Sequence, residues 1–261
     1  MKIDVDAIFD EYLNDFIEKN AGVLSAVEIE KKIEELYLEF GNIPCDKLGG
    51  KTPLKYFGSM DSDRLLELLK EGIDEGESVS DYLCKTLESR LDCEEALTEM
   101  ALEGEEELAV CAINILGAMG SKKSLVKFVE ALSEKKLPSV ISDVLTEAVC
   151  KNADAVKEEV IKAYKPTGIG AESFEEILSN MSRDERVFKL LYACFLNNRA
   201  SLALNAQYLA KYGDERALTV LYSTIKRQDI SLLEYSELKN AIEKLGGEVE
   251  DDGRFVRQTS H

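Results

Sequence analysis

The sequence predicts an all-α solenoid of stacked helix pairs, and three observations predict it. First, the stretch Asp184, Glu185, Arg186, Val187, Phe188, Lys189, Leu190, Leu191, Tyr192 returns thirty positions later as Asp214, Glu215, Arg216, Ala217, Leu218, Thr219, Val220, Leu221, Tyr222, identical at five of nine positions. Second, the segment ending Leu116, Gly117, Ala118, Met119, Gly120 aligns with the one ending Leu209, Ala210, Lys211, Tyr212, Gly213 at an offset of ninety-three, about three such periods. Third, apolar residues on both sides of these turns recur at i, i+3, i+4, i+7, the spacing of one face of a helix.

From the amino end, residues 1–60 fit the period least. They predict one helix from Val5 to Glu18 and a second from Ala26 to Phe40, with Ser25 and Glu28 spaced as a capping box. Both helices are acidic and amphipathic, which suits a terminal cap closing a stack; a separate recognition module is the alternative. The run Leu48, Gly49, Gly50, Lys51, Thr52 invites comparison with a phosphate-binding loop. The comparison fails, because Cys45 stands where the first glycine is required and no apolar strand precedes it. Thr52 as N-cap with Pro53 in the first helical position explains these residues, with Leu54, Tyr56 and Phe57 anchoring the short helix.

Residues 61–247 hold six to seven units. Leu65, Leu68, Leu69 and Leu97, Met100, Ala101 form the early stripes, followed by Ala109, Ala112, Ile113, Leu116 ahead of Gly120. Leu125, Phe128, Val129, Leu132 come after that turn. Pro138 fits the first turn of the next helix, and Val156, Val160, Tyr164 form a weaker copy. Phe188, Leu191, Tyr192, Phe195, then Leu202, Ala206, Leu209, then Leu218, Leu221, Tyr222, Ile225 carry the pattern on to Leu238, Ala241, Ile242, Leu245. Gly120 before Ser121 and Gly213 before Asp214 read as helix stop and start: glycine takes the left-handed cap and Ser or Asp caps the next helix. A pair of about thirty residues cannot bury two apolar faces alone, so each must lean on its neighbours. Residues 248–261 are polar, lack a helical period and predict a frayed tail.

The pattern at Ala109–Leu132, and again at Leu202–Ile225, resembles the short HEAT-like repeats of bacterial proteins and extends over about two thirds of the chain. The run Leu238 to Gly247 is similar to the ending of a group of bacterial HEAT-repeat proteins without an assigned role. The resemblance implies a right-handed α-α superhelix and a protein or peptide partner. It also implies alternatives, since some HEAT-like proteins resemble DNA glycosylases and others chromophore lyases. Leu48 to Phe57 is similar to a turn in small helical bacterial modules, toxin-binding regions of antitoxins among them, which adds a regulatory, toxin-neutralising reading.

Composition narrows the function. Fifty-one acidic against thirty-two basic residues leave a net charge of −19, which repels a phosphate backbone and an anionic bilayer, so neither nucleic acid nor membrane is expected as a partner. No uncharged apolar run approaches the roughly 20 residues needed to span a bilayer, and the acidic amino terminus lacks the order of a secretory signal, so the expected location is cytoplasmic. Six cysteines at Cys45, Cys84, Cys93, Cys111, Cys150 and Cys194 lack zinc-site spacing and read as reduced thiols packed as small hydrophobes. The single histidine, His261, ends the tail, leaving no fixed imidazole for a metal site or general base. No cofactor, metal or catalytic residue is expected, and a non-enzymatic interaction scaffold is the leading reading.

The candidate partner-binding residues are Lys122, Lys123, Lys127, Arg186 and Arg216. The lysines form, with Lys135 and Lys136, a basic segment in an acidic chain, broken by Glu130 and Glu134; a solvated helix face with internal ion pairs is the favoured reading, and a dock for an acidic peptide the sharper alternative. Arg186 and Arg216 occupy equivalent positions of the repeat, either as a charged ladder for a partner or as pairs to acids of adjacent repeats. Glu103, Glu105, Glu106 and Glu107 point around a helix axis and cannot converge on one ion.

Overall fold

The computed structural model describes residues 3–76, 78–250 and 253. His261 and most of the tail lie outside them. The fold is all-helical: the described residues contain sixteen α-helices and no strand. They belong to two compact units, Met1–Met119 and Gly120–His261.

The first unit holds α1 (Val5–Lys19), α2 (Ala26–Glu30), α3 (Ile33–Phe40), α4 (Pro53–Gly58), α5 (Ser62–Asp74), α6 (Asp81–Glu88), α7 (Glu94–Glu103) and α8 (Glu106–Met119). Ser25 and Glu28 form the expected capping box. The helix expected to run on from Ala26 to Phe40 is instead two. α2 has no buried residue, Val27 being 59 % exposed, so little packing holds it on one axis with α3. A tight turn at Lys32, whose N–H reaches Ile29 O at 2.8 Å, redirects the chain and lets Leu36 and Phe40 bury. Phe40 then meets Phe9 and Tyr12 of α1 with ring centroids 5.5 and 5.3 Å apart, and Tyr37 stacks on Tyr82 of α6 at 4.5 Å.

Thr52 caps α4 by accepting from Lys55 N at 3.2 Å, Pro53 stands in the first turn and Phe57 is buried, while Leu54 and Tyr56 are half-buried. The preceding loop closes through Cys45 N to Lys51 O at 3.0 Å. Beyond it, α4 lies against α6 and α6 against α8, with α7 packed along α8. Leu65, Leu69, Leu87, Leu97, Ile113 and Leu116 have no exposed surface. Each such side chain, taken out of water, supplies roughly 1.5–3 kcal/mol.

The second unit holds α9 (Lys122–Glu134), α10 (Ser139–Lys151), α11 (Lys157–Ala163), α12 (Ala171–Ser179), α13 (Glu185–Asn197), α14 (Leu202–Tyr212), α15 (Leu218–Ile225) and α16 (Leu232–Lys244). Every second helix meets the next: α10 touches α12, α12 touches α14 and α14 touches α16. α14 and α16 carry the buried alanines Ala206, Ala210 and Ala241, small enough to let backbones approach. The expected stripes are the buried ones; Tyr192, Leu218 and Tyr222 alone are half-buried. Gly120 and Gly213 both take the left-handed conformation, at φ 63° and 81°. Between consecutive helices of this stretch the extensive pairings are α13 with α14 and α15 with α16, so the Gly213 turn joins one close-packed pair to the next and does not lie inside a pair. Pro138 sits one residue earlier than expected, at the N-cap of α10, where its extended ψ of 147° aims its carbonyl at Ser142 N, 3.0 Å away.

Hydrogen bonds reaching beyond a single helix concentrate at one repeat of separation. Arg183 reaches Gly213 O at 2.7 Å, Arg199 reaches Asp229 O at 2.8 Å and Gln207 reaches Glu237 at 2.9 Å, each thirty positions along the chain. Tyr212 OH accepts from Asp184 N at 2.6 Å and donates to Asp184 O at 2.9 Å. In the first unit Arg90 donates to Met60 O at 2.7 Å and Ser62 to Asp92, again thirty apart.

Candidate functional site

α10 places Asp143 and Glu147 four residues apart, on one side of the helix, and α12 places Glu172 and Glu176 the same way twenty-nine residues later. Because α10 lies against α12 and α12 against α14, these carboxylates share one groove of about 940 Å³ with Leu204 and Tyr208 of α14. Hydroxyls fill the spaces: Ser142 and Ser173 lie 3.4 Å apart across the two helices, and Thr146 donates to Ser142 O at 2.7 Å. None of the fifteen residues lining the groove is basic. Lys151 pairs with Glu147 at 2.8 Å, leaving Asp143, Glu172 and Glu176 to set the local field.

That field is visible in the neighbouring acids. Burial, then the charges of Glu176, Glu175 and Glu172, hold the Tyr208 phenol above its ordinary range. Burial and then Glu176 push the Cys150 thiol up to about 12. Both shifts have the sign a concentration of negative charge produces. Gly170 also lines the groove, and its left-handed φ of 69° starts α12 so close to Leu132 that an added Cβ would lie 2.3 Å from Leu132 O.

The five residues singled out in the sequence lie elsewhere in the second unit. Lys122 pairs with Glu159 of α11 at 2.9 Å, Lys127 pairs with Glu130 within α9 at 2.9 Å, and Lys123 is also engaged. Arg186 binds Glu158 through both terminal nitrogens at 2.8 and 2.7 Å and closes on Asp184. Arg216 repeats this one period on, binding Glu185 at 2.8 Å and Asp214 at 2.7 Å, and lies 4.2 Å from the centre of the Phe188 ring. The duplicated Asp-Glu-Arg segment is therefore a duplicated cap: Asp184 and Asp214 each accept from the backbone N–H two residues on, at 2.8 and 3.0 Å. Arg186 holds Asp184 down to about 2, the amide of Arg186 adding to the effect. The two arginines tie successive repeats together.

Basic exceptions in an acidic chain do not point to this groove. A signal existed: acids at i, i+4 on a helix repel each other, so Asp143 with Glu147, recurring as Glu172 with Glu176, marks two helices carrying a charge pattern unfavourable to their own stability.

The first unit has a separate cavity of about 780 Å³ with Val5, Phe57, Leu68 and Leu83 in its wall. Two of its charged groups are already engaged: Asp6 accepts from Ser80 at 3.0 Å and Tyr37 at 3.1 Å, and Arg64 is paired with Glu67 and Glu71 at 2.9 and 3.0 Å. All six cysteines are free, Cys45, Cys93 and Cys194 being buried. Among the described residues no three His, Cys, Asp or Glu side chains are grouped so as to hold a metal ion, and no helix is long and apolar enough to cross a membrane. The sequence matches no family model and no curated protein.

Proposed function

We propose that this chain is a non-enzymatic protein-interaction scaffold of the cytoplasm, built on HEAT-like repeats in a right-handed α-α superhelix, and that the α10–α12–α14 groove receives an extended basic segment of a partner protein. The repeat reading is supported by buried stripes at a thirty-residue period and by hydrogen bonds that link residues one period apart. The partner reading rests on one observation: a groove with four carboxylates at equivalent positions of two successive repeats, Glu147 alone shown paired with a lysine from outside the wall, lined also by Leu204 and Tyr208 and with no basic side chain in the wall itself. Arg or Lys side chains of an extended strand would relieve the like-charge repulsion on both helices, and an apolar residue would meet Tyr208. Complementary charge of this kind sets specificity and association rate more than raw affinity.

The test is a titration of a fluorescent peptide of alternating Arg and Ala ending in Leu. Binding should weaken steeply with salt and be lost on combining Asp143→Asn, Glu147→Gln, Glu172→Gln and Glu176→Gln. Neutralising four exposed acids of the first unit, Glu99, Glu105, Glu106 and Glu107, should leave it intact. Equal losses from both sets would reduce the effect to net charge and refute the groove.

A further inference from the structure

Two of the six thiols meet. Cys84 on α6 and Cys111 on α8 are 27 positions apart, and α6 lies against α8. Each stands at the rim of its helix's buried face, Cys84 one turn before Leu87 and Cys111 one turn before Ile115, and both are half-buried. Across the interface their side chains share a hydrogen bond, the Cys84 S–H donating to the Cys111 sulfur. The other four cysteines differ. Cys45, Cys93 and Cys194 are buried, and Cys150, half-buried like the pair, meets Asn180.

The sense of that hydrogen bond gives the two sulfurs different roles. It lowers Cys111 against burial and the charge of Asp81, while Cys84, which keeps the shared proton, is raised first by the same bond and then by burial. The thiolate is the reactive form of cysteine, so Cys111 is the sulfur that attacks and Cys84 the thiol waiting beside it. A sulfenic acid formed next to a second thiol condenses to a disulfide instead of persisting. Closing that bond brings the sulfurs to about 2.05 Å, a change between two side chains already in contact.

We propose that Cys84 and Cys111 are a redox modification site, a dithiol that a hydroperoxide converts to a disulfide tying α6 to α8 and closing the chain around α7 into a covalent loop. The Cys111 thiolate attacks a peroxide oxygen: the S–O bond forms, the O–O bond breaks, and the departing hydroxide takes up the proton that Cys111 gave up, leaving as water. The Cys84 sulfur then attacks the sulfenic sulfur: the S–S bond forms, the S–O bond breaks, and the hydroxide leaves with the Cys84 proton as a second water. Two thiols give up two electrons and the peroxide accepts them. Two equivalents of a small thiol reverse the change by exchange. In a reducing compartment such a bond is transient, formed under oxidative load and then removed. The site lies wholly in the first unit and is independent of the peptide groove.

The test treats the reduced full-length protein with hydrogen peroxide near neutral pH, then denatures and alkylates it. Its intact mass should show four alkylated cysteines in place of six, restored to six by dithiothreitol. Digestion after glutamate cuts at Glu94 and Glu95, which part Cys93 from Cys111, and should release a linked pair of peptides carrying Cys84 and Cys111. In urea the six thiols compete without the fold to pair them, and the share of product with this link should fall by at least about threefold. Cys84→Ser, its fold verified by circular dichroism, should leave Cys111 as a sulfenic acid trapped by dimedone, whereas Cys111→Ser should leave Cys84 unlabelled. Cys150→Ser keeps the pair and should link as the wild type does. Six alkylated cysteines after peroxide, a bond to Cys93 or Cys150 in place of the Cys84–Cys111 link, a link between two molecules, or an unchanged share in urea overturns the proposal.

Discussion

Glu175 on α12 titrates in the opposite sense from the capping acids, and the pH dependence of stability separates them. Glu175 has its folded-state value raised by burial. Its neutral form is the one the fold accepts, so its contribution is complete below the ordinary glutamate range and is lost as pH rises through the raised value. Asp184, Glu158, Asp214 and Glu185 are lowered, chiefly by hydrogen bonds from Arg186 or Arg216. Their contribution is present above the ordinary carboxylate range and is lost as pH falls. Urea unfolding of wild type and Glu175→Gln across pH 4 to 8 should therefore show the variant gaining on the wild type as pH rises from roughly 4. A difference that stays flat would mean that Glu175 is not buried as an acid. The arginine pairs were legible in the letters because the Asp-Glu-Arg segment is duplicated at the repeat period, and a duplicated cap brings each arginine to an acid of the preceding unit. Glu175 was not legible: Glu172, Glu175 and Glu176 are three acids within five residues, and their spacing alone does not say which one the neighbouring α13 covers.

At the scale of elements, glycines decide where helices begin and end. Gly213 and Gly170 both have left-handed backbones, at φ 81° and 69°, and differ in what surrounds them. A Cβ on Gly213 meets nothing within 4 Å, whereas on Gly170 it would lie 2.3 Å from Leu132 O at the end of α9. Gly213→Ala should cost only the left-handed penalty, about 1–2 kcal/mol, and Gly170→Ala clearly more, because a backbone carbonyl cannot step aside. Chemical denaturation measures both; equal losses would show that the approach of α12 to Leu132 is dispensable. The Gly213 stop was readable from the aspartate after it. Gly170 was not, since its role depends on α9, nearly forty residues earlier. Similarly, periodicity found the helical content of residues 26–40 and missed the break at Lys32, because a period reports which side chains share a face and not whether a neighbour is there to bury them. Val27 stays 59 % exposed, whereas Phe40 has three aromatic neighbours.

For the whole molecule, charge and packing oppose each other. The net charge of −19 repels itself throughout the fold, while exposed ion pairs each return only about 0–1 kcal/mol. Screening by salt weakens both, and the excess of like charge should win, so the melting temperature should rise between 10 mM and 150 mM sodium chloride. A fall would assign more to the Arg186 and Arg216 pairs than their exposure allows. Packing is carried by side chains such as Leu209, 1 % exposed on α14, and Leu209→Ala should lower the unfolding free energy by about 2–5 kcal/mol. The distribution of that loss is the most direct measure of whether helix pairs depend on their neighbours. Hydrogen exchange of the second unit, compared between wild type and Leu209→Ala, should show protection falling most in α13, α14 and α16, less in α12 and least in α9. An equal fall in every helix of the unit would instead indicate one indivisible core and contradict repeat-by-repeat stacking.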